Sequence, residues 1–272
     1  MKQDTAPAPA ARRISLSILI AALALTGLAW AYVSVLAARM VAPMPQSMAD
    51  MPGMNMTDTG IMTPAFMPWT FQHWLFLCTM WVIMMVGMMT PAVTPMVLIY
   101  ARVTQANTNS RRTIPSAGWF AFGYLIAWSL FSAVAALAQW VLEAFALLTP
   151  MMVAANHELG GVILIAAGAY QWLPIKDTCL ANCRAPLAFM QRHGGIQVSA
   201  MGSLRLGCLH GLYCVGCCWA LMAILFVVGV MNLLWIAALM IVVLLEKVIP
   251  GGRYFSRIVG CAALAAGVWM FR

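Results

Sequence analysis

Between residues 206 and 230 the chain reads LGCLHGLYCVGCCWALMAILFVVGV, a run of 25 residues without Lys, Arg, Asp or Glu. A helix of about 20 apolar residues crosses the roughly 30 Å hydrocarbon core of a bilayer. The run therefore predicts a transmembrane helix. Applied outward along the chain, the same criterion predicts seven spans, at about 14–38, 73–99, 117–142, 159–174, 206–230, 232–246 and 255–271.

The composition agrees with this class of protein. Hydrophobic residues make up 64% of the 272 residues and charged residues only 8%, which is more apolar than a water-soluble domain. We expect an all-α fold, a polytopic integral membrane helical bundle with the lipid bilayer as its surroundings. The net charge of +8 does not indicate nucleic-acid binding, because the Lys and Arg residues lie singly between apolar runs.

The positive charges predict the orientation. Cytoplasmic loops retain Lys and Arg, and with the N-terminus inside, thirteen of the fifteen fall on the cytoplasmic side, all but Arg39 and Arg272. We expect an N-in, C-out, multi-pass protein of the bacterial inner membrane. The first apolar run is long for a signal peptide, so it is interpreted as an uncleaved anchor.

Three parts of the chain follow from these spans. Residues 1–38 form an N-terminal tail and the first transmembrane helix, residues 39–72 form an extracytoplasmic loop rich in Met, and residues 73–272 form a six-helix membrane domain. The loop includes Met48, Met51, Met54 and Met56 among Pro, Gly and Asp. Thioether sulfur is a soft ligand that suits Cu(I), so the loop predicts metal capture; a flexible loop on the membrane surface is the alternative.

A second group of sulfur ligands lies in the second span. His73, Met84 and Met88 fall in one row on the helix, and Met89 falls in a neighbouring row with Cys78. A soft metal ion could be passed along such rows. Met is also a common filler of helix interfaces, and for this span packing is the competing interpretation.

The third group lies in the opening stretch. On a helical wheel His210, Cys214, Cys217 and Cys218 fall within about 100°, and Met222 lies one turn deeper. Cys217 and Cys218 would lie near the middle of the bilayer, where a bare thiolate is costly and a thiolate paired with a soft cation is less so. The pattern predicts a metal site, although buried Cys also packs as a small apolar residue. The GxxxG spacing of Gly207 and Gly211 predicts close helix contact.

Cys179 and Cys183 lie in a loop that the orientation places in the cytoplasm. Their spacing puts both on one side of a helical turn, and metal relay or thiol exchange is the expectation, since a standing disulfide is rare in that compartment. Glu246 and Lys247 end the sixth span, where they predict an interfacial ion pair or a gate.

Taken together, these residues resemble the bacterial family of predicted metal-binding integral membrane proteins over about residues 70–272. The matching positions are Trp81, Met84, Met88, Met89, Pro91, Tyr170, Gln171, Lys176, Cys179, Cys183, Arg184, Pro186, Gly207, Gly211, Cys214, Gly216, Cys217, Cys218, Trp219, Met222, Glu246 and Lys247. The resemblance implies a membrane fold and a bound metal, and it implies no reaction. The Met-rich loop lies outside it.

The leading interpretation is a membrane protein that binds a soft metal, with Cu(I) expected and another soft metal as the alternative. It would act in metal transport, in delivery or in metalloenzyme assembly, with a metallochaperone or a membrane metalloenzyme as partner and no catalysis of its own. No Walker-type phosphate site accompanies it. Two other functions stay open: a membrane thiol–disulfide oxidoreductase using Cys214 and Cys217, and a structural subunit without metal.

Overall fold

The computed structural model describes residues 9–41, 71–107, 110–145, 147–148 and 153–272. These residues form ten helices: α1 (Pro9–Val41), α2 (Phe71–Asn107), α3 (Ser110–Ala144), α4 (His157–Tyr170), α5 (Pro174–Arg184), α6 (Pro186–Arg192), α7 (Ala200–Ala223), α8 (Leu225–Val228), α9 (Leu233–Val248) and α10 (Gly252–Trp269). Of the residues that the structure describes, 87% are helical. Within the described part, the only extended pairing is an isolated bridge between Leu148 and Ala154. The all-α prediction is confirmed.

Four helical segments are long and apolar enough to cross a membrane. They are Arg12–Arg39, Trp74–Ala106, Thr113–Ala144 and Ala200–Val228. A fifth span results if α4 and α5, which are bent by 63° at the break between them, count as one. This architecture is consistent with a membrane protein.

The predicted number of seven spans is not supported. Helices do form at the fourth, sixth and seventh predicted spans, as α4, α9 and α10, but α4 has 14 residues and α9 has 16. At 1.5 Å of rise per residue, helices of these lengths are only about 21 to 24 Å long. α10 has 18 residues, but Arg253 and Arg257 lie in its first two turns and lower its hydropathy.

Close packing of α3 on α7 positions the functional region. A Cβ atom at Gly207 would overlap the carbonyl oxygen of Phe120, and one at Gly211 would lie 2.6 Å from the Cβ of Ala127. Gly123 of α3 is packed just as closely on α7, since a Cβ atom at Gly123 would overlap the carbonyl oxygen of Leu204. The prediction of close helix contact at the GxxxG spacing is confirmed.

The segment expected to be a cytoplasmic loop is instead helical and packed. α5 begins at Pro174, which suits the first turn of a helix because that turn needs no N–H donor. It lies against α7 and α9, and Cys179 Sγ lies so close to Gly216 of α7 that a Cβ there would be 2.8 Å away. The loop assignment of Cys179 and Cys183 is therefore corrected: both lie on a helix that touches α7.

Candidate metal centre

Three cysteine sulfurs meet where α5 crosses α7. The Sγ atoms of Cys183, Cys214 and Cys217 all lie within 4.8 Å of one another, and those of Cys183 and Cys217 are 4.0 Å apart. Cys214 and Cys217 are almost completely buried, and Cys183 is 9% exposed. All three are free thiols. Two sites that the sequence predicts separately, one on each helix, are thus a single cluster.

Helical spacing explains why these three sulfurs converge. Cys214 and Cys217 are three residues apart on α7, so their side chains share one face. On α5, Cys183 lies seven residues, or about two turns, after Lys176, so both project from the same side. That side faces α7 and α9, because Lys176 is bonded to Glu246 of α9.

The Cys214 sulfur has two further polar neighbours. Lys247 Nζ donates a hydrogen bond to Cys214 Sγ at 2.8 Å, and Tyr124 Oη lies 3.0 Å from the same atom. An ammonium group in contact with a buried sulfur favours the thiolate form, since each charge offsets the other's loss of hydration. The cluster therefore includes a cation of the protein itself.

A buried ion pair also joins α5 to α9. Lys176 Nζ lies 2.9 Å from Glu246 Oε1, and the two side chains are 0% and 1% exposed. Lys176 also donates to Gln171 Oε1, which accepts from Ser256 Oγ at 3.1 Å. The predicted pairing of Glu246 with Lys247 is wrong: Glu246 binds Lys176 and Lys247 binds Cys214.

The other ligands predicted on α7 are all buried. Cys218 Sγ is fully buried and donates to the carbonyl oxygen of Cys214 at 3.0 Å. His210 is 2% exposed, and its Nδ1 has no hydrogen-bond partner in the described part of the chain. The His210 ring packs among the rings of Phe120, Tyr124 and Phe189. Met222 is buried in the core.

The predicted ligands of the second span lie on α2. Met84, Met88 and Met89 are all buried in the hydrophobic core, and α3 packs against both α2 and α7. α2 also touches α7 directly, through a 2.9 Å contact between Tyr100 Oη and Ser203 Oγ.

Two sets of predicted ligands fall wholly or partly outside the described structure. His73 lies in the first turn of α2, and the position of its side chain is outside the described structure. Met48, Met51, Met54 and Met56 also lie outside the described residues.

The geometry of the cluster suits a soft metal ion. A metal–thiolate bond is about 2.3 Å long, so one ion between two sulfurs reaches both when they are about 4.6 Å apart. Sulfur spacings up to 4.8 Å therefore need only small side-chain adjustments. Thiolates select Cu(I) and other soft ions over hard cations such as Mg²⁺.

Apolar helices of membrane-spanning length and a buried cluster of three thiols define the class: an all-α protein with a candidate soft-metal site. A family model described as PpoB2, copper chaperone, matches residues 78–270, which is well over half of the 272 residues. The chain belongs to this copper chaperone family. No curated protein and no solved structure matches it.

Two contributors to the site escape sequence reasoning. Tyr124 lies in an apolar span with no pattern to distinguish it from the other aromatic residues there. Lys247 is visible as a charge at the end of an apolar run, but its contact with Cys214, 33 residues earlier, depends on how α9 packs. The charge of Lys247 within a largely apolar region is the available signal, and it does not identify Cys214 as the partner.

Proposed function

We propose that this protein is an integral membrane copper chaperone that holds Cu(I) at the cluster and delivers it to a partner metalloprotein. The observation that carries the proposal is the convergence of the Cys183, Cys214 and Cys217 sulfurs within 4.8 Å. Membership of a copper chaperone family supports copper as the cargo and delivery as the role.

The proposed ligands are Cys183, Cys214 and Cys217. With two of these ligands as thiolates and the third as a neutral thiol, one Cu(I) leaves a net charge of −1, and the ammonium of Lys247 at 2.8 Å from Cys214 offsets it. Such local neutrality matters because an uncompensated charge in an apolar interior is costly. The remaining sulfur and imidazole groups of the region, Cys179, Cys218, His210 and Met222, serve in this proposal as transient ligands during entry or exit.

The proposed surroundings are the bacterial inner membrane. Four segments of sufficient length and apolarity support a membrane location, and the asymmetry of Lys and Arg supports an N-in arrangement. In this arrangement residues 39–72 form the extracytoplasmic Met-rich loop that collects the ion, and residues 73–272 form the domain that carries the cluster. The buried Met84, Met88 and Met89 of α2 and His73 at its start would lie on the route between them.

Copper content of the purified protein tests the proposal. Full-length protein is loaded anaerobically with Cu(I) in detergent, desalted and analysed by mass spectrometry for metal and for free thiols. We expect stoichiometric copper in the wild type and its loss in Cys183→Ser/Cys214→Ser/Cys217→Ser. Cys208→Ser/Cys261→Ser is the matched control, since both thiols lie outside the cluster. Wild-type protein without copper, or a triple variant that retains it, overturns the proposal.

A second function is favoured by one observation. Cys183 and Cys217 are free thiols with their sulfurs 4.0 Å apart, which also suits a thiol–disulfide oxidoreductase. Such an enzyme would cycle between dithiol and disulfide without metal. The same experiment separates the two functions, because a redox enzyme would show oxidised thiols and no copper. A structural subunit would keep reduced thiols and bind no copper.

A further inference from the structure

A basic cavity lies at the start of α7, away from the cysteine cluster. Its volume is about 440 Å³, and its wall includes Arg192, His193, Gln197 and Arg205 together with the backbone of Gly194 and Gly202. This size falls within the range of cavities that bind small molecules. The copper proposal assigns no role to any of these residues.

The positive charge of the cavity is not balanced by the protein. Across the described residues, the two salt bridges join Lys176 to Glu246 and Arg253 to Asp177, and neither involves Arg192 or Arg205. No Asp or Glu is among the residues that line the cavity. Two exposed Arg side chains therefore line one space that no carboxylate lines, and guanidinium matches the geometry of phosphate oxygens.

The wall of the cavity is a well-anchored turn between α6 and α7. Gly194 and Gly195 have φ angles of 99° and 73°. Residues other than glycine rarely adopt such positive φ angles. The Gln197 side chain donates to the carbonyl oxygen of Gly194 at 2.8 Å, and the Gln197 carbonyl accepts from Tyr100 Oη of α2. Ser116 of α3 donates to the carbonyl of Val198 at 3.0 Å. Helices α2 and α3 thus hold the turn in place.

The cavity is also amphipathic. Leu206 and Leu209 of α7 form part of its lining. Leu206 follows Arg205 directly in the chain, and Leu209 lies about one helical turn after Arg205. The turn meets the end of α2 and the beginning of α3, both of which contain segments long enough to cross a membrane. If these helices span the bilayer, the cavity lies at its surface, where basic pockets between helices bind lipid headgroups.

We propose that this cavity binds a phosphate group, and that the group belongs to an anionic phospholipid. Arg192 and Arg205 contact the phosphate oxygens, and the glycerol and upper acyl chain lie on Leu206 and Leu209. The proposal depends on the membrane location but not on copper.

Native mass spectrometry tests the proposal on the full-length protein. Detergent-solubilised protein is titrated with phosphatidylglycerol, with phosphatidylcholine of the same acyl chains, and with inorganic phosphate. We expect phosphatidylglycerol to bind in preference to phosphatidylcholine, and Arg192→Gln/Arg205→Gln to weaken its binding by about tenfold or more for each guanidinium. Arg102→Gln is the matched control, because this exposed Arg lies at the same end of α2 but does not line the cavity.

Each outcome decides the proposal. Inorganic phosphate that binds the wild type but not the double variant, without a preference for phosphatidylglycerol, supports a phosphate site and overturns the lipid assignment. Equal binding of both lipids with no phosphate binding overturns the site altogether, and this comparison needs only the wild type. A copper titration of the double variant separates this site from the cluster, since we expect its copper content to be unchanged.

Discussion

Lys247 Nζ lies 2.8 Å from Cys214 Sγ, so a lysine of α9 contacts a sulfur in the middle of α7. Glu246, the residue before it, is bound to Lys176 of α5. Two adjacent residues of α9 therefore hold the two helices that supply the cysteine cluster. The same short segment sets the geometry of the cluster and supplies its compensating cation.

Replacing Lys247 tests the role of that cation. In Lys247→Met the Cys214 thiolate loses a charge-assisted hydrogen bond of about 1.5 to 3 kcal/mol, so we expect Cu(I) affinity to fall by about tenfold or more. Lys247→Arg keeps the charge and should retain most of the affinity. Competition with a chromophoric Cu(I) chelator measures both. Equal affinities for Met and Arg variants would show that the charge does not matter.

The buried ion pair between Lys176 and Glu246 predicts how single and double substitutions change the free energy of unfolding. Lys176→Met or Glu246→Leu alone leaves one buried charge without a partner, and each should cost about 3 to 5 kcal/mol. The double variant removes both charges, so it should recover much of that loss. Thermal unfolding in detergent, followed by circular dichroism, gives the comparison. Additive losses in the double variant would contradict the prediction.

Close packing of α3 on α7 predicts that Gly207 tolerates no side chain. Gly207→Ala places a methyl group against the carbonyl of Phe120, and overpacking of this kind costs about 1 to 3 kcal/mol. Gly118→Ala in α3 is the matched control, because nothing lies within 4 Å of the added atom. That control should be neutral or slightly stabilising, since alanine favours the helix. Similar melting temperatures for both variants would refute the packing argument.

Oxidation of the metal-free protein should crosslink α5 to α7. Cys183 and Cys217 are the described pair with sulfurs 4.0 Å apart, and diamide accepts the two electrons and two protons that a new disulfide releases. We expect a peptide pair containing Cys183 and Cys217 after digestion and mass spectrometry. Prior loading with Cu(I) should suppress it, because coordinated thiolates are less available for oxidation. A dominant crosslink through Cys261, which is exposed, would contradict the assignment.

The sequence predicts part of this architecture well. Spacing alone places Cys214 and Cys217 on one face of a buried helix, because helical periodicity is a local property. The close contact at Gly207 and Gly211 follows from a spacing of the same kind. In each case the relevant residues lie within about two turns of one another.

The remainder depends on contacts that are distant in the chain. Residues 174–184 contain Lys176, Asp177 and Arg184, so hydropathy favours an exposed loop. The structure buries Lys176 because Glu246, 70 residues later, neutralises it. The bend of 63° between α4 and α5 likewise cannot be predicted from apolar length, and Cys183 lies on the helix that follows this bend.

The residues of the cluster are far apart in the chain, so they are synthesised at different times. Cys183 leaves the ribosome 34 residues before Cys217. Lys247 is synthesised 33 residues after Cys214. Until α9 has been translated and inserted, the nascent chain displays its thiols without the lysine that compensates them. A chain arrested between Cys217 and Lys247 would therefore carry reactive sulfur in an incomplete site, and we expect copper to bind only after α9 has been translated.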